Sequence, residues 1–218
     1  GRCEARIIRA DVSRPVEIKT LIPGDPGSIP WAGHLGLKLI DDVLGALEPE
    51  KSTLIFANTR SQAELWHNAI RFKRPEWGPF LGLHHGSIDR AERERIERGL
   101  KSGEVRIVVC TSSLDLGVDF APVERVVQLG SAKGIARLLQ RAGRSGHRPG
   151  ASCSVLCVPT QWIELVEAAA VKRAVEEGQI EPRLALSKPL DVLTQHMVSR
   201  GLGGGFTADE LFEEVRSA

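Results

Sequence analysis

Residues 106–129 read RIVVCTSSLDLGVDFAPVERVVQL. The runs IVVC and VVQL are apolar at consecutive positions, so both faces of each need cover. A strand of that kind belongs in a parallel sheet with helices on both sides. Working outward, the same texture recurs at residues 52–57 (STLIFA), 80–84 (FLGLH) and 151–158 (ASCSVLCV). Amphipathic stretches of roughly ten to fifteen residues separate these runs. Ser61-x-x-Glu64 and Asp89-x-x-Glu92 are helix-start patterns placed just after strand ends. This alternation predicts a three-layer α/β domain with a mainly parallel sheet.

The flanks have a different texture. Residues 22–36 (IPGDPGSIPWAGHLG) read as a loop leading into a helix over 35–47, and residues 161–177 read as a long helix. Pro182 and Pro189 then punctuate a linker. A helix is expected over 190–200, glycines between 201 and 205 break it, and Thr207-x-x-Glu210 caps a last helix. Two short helices across a Gly-rich turn read either as the start of a helix-turn-helix unit or as a pair docked on the α/β domain. No strand pair follows, so this second unit reads as cut short.

The chain has 218 residues, of which 42% are hydrophobic. That length fits one domain and a half, and that apolar fraction excludes disorder. No apolar run is long enough to span a membrane, and the charged opening residues do not resemble a signal peptide. Cys3, Cys110, Cys153 and Cys157 form no CxxC pair and no metal-ligand cluster. A reducing, cytoplasmic setting is expected, with no metal held by the chain itself.

The net charge of +1 hides a strong asymmetry. Residues 51–150 hold 17 Lys and Arg against 10 Asp and Glu, whereas residues 1–50 hold 6 against 8 and residues 151–218 hold 6 against 10. Arg outnumbers Lys 21 to 8, and Arg is the side chain suited to bidentate phosphate recognition.

Ligands of an open parallel sheet meet the loops at the carboxyl ends of its strands. Those loops carry Asn58, Thr59 and Arg60; then His84, His85, Gly86 and Ser87; then Thr111, Ser112, Ser113, Leu114, Asp115, Leu116, Gly117, Val118 and Asp119. Hydroxyls, glycine and arginine on one rim suit a phosphate backbone, although each type is also an ordinary turn residue. The fourth crossover, residues 133–148, is KGIARLLQRAGRSGHR. Ile135, Leu138, Leu139 and Ala142 mark one apolar helical face. Arg137, Gln140, Arg141 and Arg144 are expected on the opposite face, continued by Lys133, His147 and Arg148. No acid lies between Arg125 and Arg148 to relieve them, which points to an anion supplied from outside. A GxxxxGK[ST] loop is absent, as is an acidic box to hold magnesium; Asp209-Glu210 lies inside a capped helix.

These residues resemble the second RecA-like domain of a superfamily 2 helicase. FANTRSQAE (56–64) resembles motif IV, and LHHGSIDRAERERIERGLKSGE (83–104) the motif IVa region. TSSLDLGVDF (111–120) resembles motif V, and QRAGRSGHRPG (140–150) motif VI. PWAGHLG (30–36), the QRAGRSGH form of motif VI and KPLDVLTQH (188–196) narrow the resemblance to Lhr helicases, in particular the bacterial ligase-associated DEXH-box branch.

The resemblance implies a RecA-like domain over 17–182, preceded by a connector (1–16) from a first RecA-like domain and followed by the beginning of a winged helix (187–218). It implies ATP with Mg2+, bound mainly by that first domain. Arg144 would be the arginine finger, with Gln140 and Arg141 coupling nucleotide state to domain closure. Gly117 and Asp119 would contact the nucleotide, and either His147 or Arg148 would give a second phosphate contact, since many superfamily 2 enzymes have Arg where this chain has His147. Asn58, Thr59, Arg60, His85, Gly86, Ser87, Thr111 and Ser112 would line the single-strand track. The implied activity is ATP-driven 3′-to-5′ movement on single-stranded DNA, displacing DNA or RNA paired to it. DNA repair is the implied context, with ligase or nuclease partners and a bacterial nucleoid setting.

Two other readings compete. One is a non-catalytic nucleic-acid-binding module with a helicase-like fold; the other is an RNA helicase or remodeller of another superfamily 2 branch. Trp31, Trp66, Trp77 and Trp162 have rings able to stack on bases. Lone tryptophans near helices are usually packing residues, and Trp31 is expected to dock a domain neighbour.

Overall fold

Alternate residues of the central strands enter two separate cores, and that division organises the molecule. The computed structural model describes residues 15–25, 27, 29–31, 35–115, 123–145, 153–181 and 188–217. The elements of the first unit are β1 (Val16–Thr20), α1 (Ile40–Ala46), β2 (Thr53–Phe56), α2 (Arg60–Lys73), β3 (Leu81–His84), α3 (Arg90–Ser102), β4 (Ile107–Cys110), β5 (Arg125–Leu129), α4 (Ile135–Ala142), β6 (Cys153–Val158) and α5 (Trp162–Glu176). Short 3-10 turns precede α1 (Leu37–Leu39) and β3 (Pro75–Phe80) and follow β4 (Ser112–Leu114). The strand order is β1-β6-β5-β2-β4-β3, and every pairing is parallel.

Leu54, Phe56, Val108, Cys110, Val126 and Val155 face one core, closed by Ile96 and Leu100 of α3, Leu138 and Ala142 of α4 and Ala168 of α5. Ile55, Ile107, Val109, Val127 and Leu129 face the other, closed by Ile40, Val43 and Leu44 of α1 and by Ala63, Trp66 and Ile70 of α2. Leu54, Ile55, Val108, Val109 and Val127 are all 0% exposed. Each such side chain contributes about 1.5–3 kcal/mol by burial. The expected three-layer α/β fold is therefore present, and the described sheet is wholly parallel rather than mainly so.

Three details depart from the sequence reading. Val16, the last residue of the expected connector, already pairs with Cys153 as the first residue of β1, an edge strand. The α2 cap is Thr59, whose Oγ1 accepts from Gln62 N at 3.1 Å, so Ser61 lies inside the helix. The loop expected to end at 36 leads first into the 3-10 turn, and α1 starts only at Ile40. Asp89 caps α3 as expected, accepting from Ala91 N at 2.8 Å.

The chain divides into compact units Gly1–Glu181 and Pro182–Ala218. The second contains α6 (Leu190–Leu202) and α7 (Ala208–Ser217). A reciprocal capping pair starts α7: Thr207 N donates to Glu210 Oε2 at 2.9 Å, and Glu210 N donates to Thr207 Oγ1 at 3.3 Å. Glu214 holds the two helices together through His196 and Arg200, at 3.2 and 3.3 Å. α6 passes through Gly201, two residues beyond its expected end. Among the described residues, no helix is long and apolar enough to cross a membrane.

Candidate nucleic-acid and nucleotide interface

The carboxyl ends of β2, β3 and β4 bring the three expected loops onto one rim, because these strands are adjacent and parallel in the sheet. Asn58, Thr59 and Arg60 are exposed there. Asn58 also ties the rim together: its Nδ2 donates to Ser131 O at 2.9 Å, beyond the end of β5, and its N–H donates to Gln62 Oε1 at 2.9 Å. Arg60, the first residue of α2, makes no ion pair with the described residues. It is a cation free to meet an anion beside a helix N-terminus.

His85 departs from its expected place on the track. It is 2% exposed, and its Nδ1 accepts from Ser87 N at 3.3 Å. Its Nε2 lies 3.1 Å from Glu64 Oε1 but is poorly directed for a hydrogen bond. The imidazole thus shapes the turn that leaves Gly86 and Ser87 exposed. On the next loop Ser112 is exposed and Thr111 half-buried, with Thr111 N donating to His84 O at 3.2 Å.

Behind that rim lies a relay absent from the expected site. His84 is 1% exposed, with Nδ1 2.8 Å from Ser113 Oγ and Nε2 3.0 Å from Glu97 Oε1. Burial holds the ring below its ordinary value of 6.5 despite the opposing pull of Glu97, so the neutral form is favoured. Nε2–H then donates to Glu97, and Nδ1 faces the Ser113 hydroxyl, which donates to His84 O at 3.1 Å. The relay fixes Ser113 beside the exposed hydroxyl of Ser112. A His at a strand end followed by an acid on the next helix is the only sequence signal for it, and that signal is weak.

The second cluster centres on α4. The expected face of four outward polar residues is corrected here, because Arg141 points inward and is 2% exposed. Its Nε donates to Asp115 Oδ1 at 2.8 Å, Nη2 to Asp115 Oδ2 at 3.2 Å, and Nη1 to Gln128 Oε1 at 2.5 Å. The guanidinium also lies 4.7 Å from the centre of the Phe56 ring. Two parallel N–H···O bonds plus an aromatic face account for the placement, since a buried cation needs full satisfaction. Helical periodicity put Arg141 outside because it registers side-chain polarity and not the acid waiting across the fold.

Arg137 and Gln140 do lie on the exposed face. Arg144 is half-buried, and its Nε and Nη2 donate to Asp115 O at 3.2 and 2.7 Å. Asp115 therefore holds Arg141 through its carboxylate and Arg144 through its carbonyl. Ser145 fastens the end of this segment: its Oγ donates to Ala142 O at 2.7 Å and accepts from Ser154 N at 2.9 Å. Gly117, Asp119, His147 and Arg148 lie outside the described residues.

The start of α4 is capped from a distance. Gly134 has φ 139°, a conformation favouring glycine, and supplies no side-chain cap. The Glu181 carboxylate instead accepts from Ile135 N at 3.0 Å and Ala136 N at 3.1 Å. Cys110, Cys153 and Cys157 are buried and free of disulfides; burial raises Cys110 well above the usual thiol range and Cys157 to about 11.

Residues 36–149 match the helicase conserved C-terminal domain, and residues 173–218 match the winged-helix domain of large helicase-related proteins. The chain belongs to the Lhr helicase family. It is 33% identical to the ATP-dependent helicase Lhr-Core of Methanocaldococcus jannaschii, over 97% of this chain and 25% of that protein. It is 38% identical to the Lhr helicase/uracil glycosylase of Escherichia coli, over 89% of this chain and 14% of that protein. The structure of Mycobacterium smegmatis helicase Lhr bound to ssDNA and AMP-PNP superposes with a TM-score of 0.80 at 29% identity, covering 94% of this chain and 27% of that one. The chain thus spans about a quarter, or less, of these relatives.

Proposed function

We propose that this chain is the second half of an ATP-driven motor that moves 3′ to 5′ on single-stranded DNA and displaces the strand paired to it. The observation that carries the reading is Asp115. This one residue joins the loop bearing Thr111 and Ser112 to both Arg141 and Arg144. A change in the grip on the strand and a change around α4 are thereby coupled through a single rigid connection.

The donor set fits a polyphosphate. Arg144 is half-buried, with Arg137 and Gln140 exposed nearby on the helix that leads to it. Bound ATP would supply a phosphoryl group whose transfer develops charge on the leaving oxygen while charge is spread over the equatorial oxygens, and a positioned arginine would stabilise that charge. Arg144 serves as that arginine finger, releasing Asp115 O as it reaches forward. Gln140 lies where it can report closure. Arg141 holds Asp115 and the α4 register, and Gly117, Asp119 and either His147 or Arg148 complete the nucleotide contacts. Mg2+ and most of the ATP are held by a first RecA-like domain, because this chain has no GxxxxGK[ST] loop. The isolated chain is accordingly without ATPase activity.

On the rim, Asn58, Thr59, Arg60, Gly86, Ser87, Thr111 and Ser112 hold phosphates of the strand, and His85 contributes through the turn it shapes. The branch is the bacterial ligase-associated one, and the setting is DNA repair beside ligase or nuclease partners. The experiment is unwinding of tailed duplexes by the complete protein. Displacement should require ATP and a 3′ single-stranded DNA tail, for both DNA–DNA and RNA–DNA duplexes. ATP-independent binding without displacement would favour a non-catalytic binding module, and a requirement for an RNA tail would favour another superfamily 2 branch.

A further inference from the structure

The structure sorts the four tryptophans into two pairs. Trp66 is 0% exposed, with Nε1 donating to Leu35 O at 2.7 Å, and Trp77 is 6% exposed; both are packing residues. Trp31 and Trp162 instead stack on each other, with ring centroids 5.8 Å apart and planes inclined by 30°. Trp31 is 83% exposed. So large an apolar ring contributes little to stability from that position.

The pair is joined to the rim described above. β6 ends at Val158, Trp162 opens α5 just beyond it, and Trp162 N donates to Pro30 O at 3.2 Å. The buried Glu164 carboxylate accepts from Thr160 N at 2.6 Å, Thr160 Oγ1 at 2.9 Å and Ser131 N at 3.1 Å. Ser131 O in turn accepts from Asn58 Nδ2 at 2.9 Å. On the other side of the pair, Leu35 O accepts from Gln62 Nε2 at 3.4 Å, and Gln62 Oε1 accepts from Asn58 N. Gly36 lets this loop close on β6: a Cβ there would meet Thr160 Cγ2 at 2.8 Å. Both sides of the aromatic pair are thus fastened to Asn58, at the carboxyl end of β2.

We propose that Trp31 and Trp162 form a stacking platform for one unpaired nucleobase of the strand whose phosphates the rim holds. The proposal rests on reading the rim as a strand track. Hydroxyls, glycine and Arg60 grip phosphates and leave the bases unsupported. An exposed indole backed by a second indole presents an apolar ring face, and stacking on it is tolerant of sequence because every base has a π-face. A motor that must pass all sequences needs that tolerance. The proposed occupant is a base, in place of the domain neighbour expected on Trp31.

The test is equilibrium binding of the complete protein to fluorescein-labelled oligo(dT) carrying single abasic positions. Trp31→Ala and Trp162→Ala should each weaken binding of intact oligonucleotide by about tenfold to a hundredfold, with Trp31→Phe retaining most of the affinity. In the unaltered protein one abasic register should reproduce that loss, and Trp31→Ala should lose nothing further there. Equal weakening by Trp31→Ala on every abasic register would overturn the platform, since the tryptophan would then act through protein packing. If Arg60→Ala weakens binding and neither tryptophan variant does, the platform fails and the strand track stands. If Arg60→Ala also leaves binding unchanged, the track reading itself fails. Trp31 is exposed, so thermal unfolding of Trp31→Ala should match the parent and confirm that folding is intact.

Discussion

Arg141 grips Asp115 with two nitrogens, at 2.8 and 3.2 Å from the two carboxylate oxygens, and both side chains are buried. Removing one partner leaves the other charged and out of water, which costs about 3–5 kcal/mol. Arg141→Ala and Asp115→Ala should each lower the unfolding free energy obtained from urea denaturation by an amount of that size. Arg141→Lys should fail to rescue, because a point charge cannot reproduce the two-pronged geometry. The Arg141→Met, Asp115→Leu double variant should lose less than the sum of the corresponding single losses, since no unpaired charge remains. Strict additivity would mean that the pair is not coupled.

The sign of the His84 effect follows from its environment. Its folded value is lowered from 6.5, chiefly by burial, so the native state holds the neutral ring and the unfolded chain takes up the proton first. The stability contributed by keeping the ring neutral is complete above pH 6.5 and falls away as pH drops through 6.5 toward the depressed folded value. The melting temperature should decline over that window, and His84→Gln should flatten the decline. His67 is lowered in the same direction by burial, so a residual slope should survive in the variant. A melting temperature independent of pH from 7.5 to 5 in the parent would contradict this arrangement.

Glu181 supplies the start of α4 with the cap that Gly134 cannot. Glu181→Ala should destabilise the first unit by about 1 kcal/mol, the usual worth of a helix cap. Gly134→Ala should cost more, because its φ of 139° disfavours a side chain and the new Cβ would stand 2.6 Å from Glu181 Oε1. Denaturant unfolding of the two variants checks the order; a neutral Gly134→Ala would mean that the loop relaxes without cost.

The parallel sheet was legible because IVVC and VVQL can be satisfied only by cover on both faces, and the structure buries Val108, Val109, Val126 and Val127 completely. Strand β1 was not legible. VEIKT places Ile18 in the core and leaves Glu17 and Lys19 paired on the surface at 3.0 Å, an alternation too short to separate a strand from a linker. Its strand character comes from the open edge of β6, a partner more than a hundred residues away. Arg141 escaped for the same reason: its acid, Asp115, lies 26 residues earlier, across the sheet. The rim loops were readable as a set because parallel strands must deliver their carboxyl ends together. Burial of His85 was not readable, since it depends on how one turn folds back through Ser87.

The proposed function assigns Arg144 to the nucleotide and the rim to the strand. The most direct test is Arg144→Ala in the complete protein, with DNA-stimulated ATP hydrolysis and single-stranded DNA affinity measured side by side. Hydrolysis should fall by about 10³-fold or more, as for loss of an arginine finger, with DNA affinity within a few-fold of the parent. Equal loss of hydrolysis and DNA binding would contradict it, because Arg144 would then serve the strand site or the fold through Asp115.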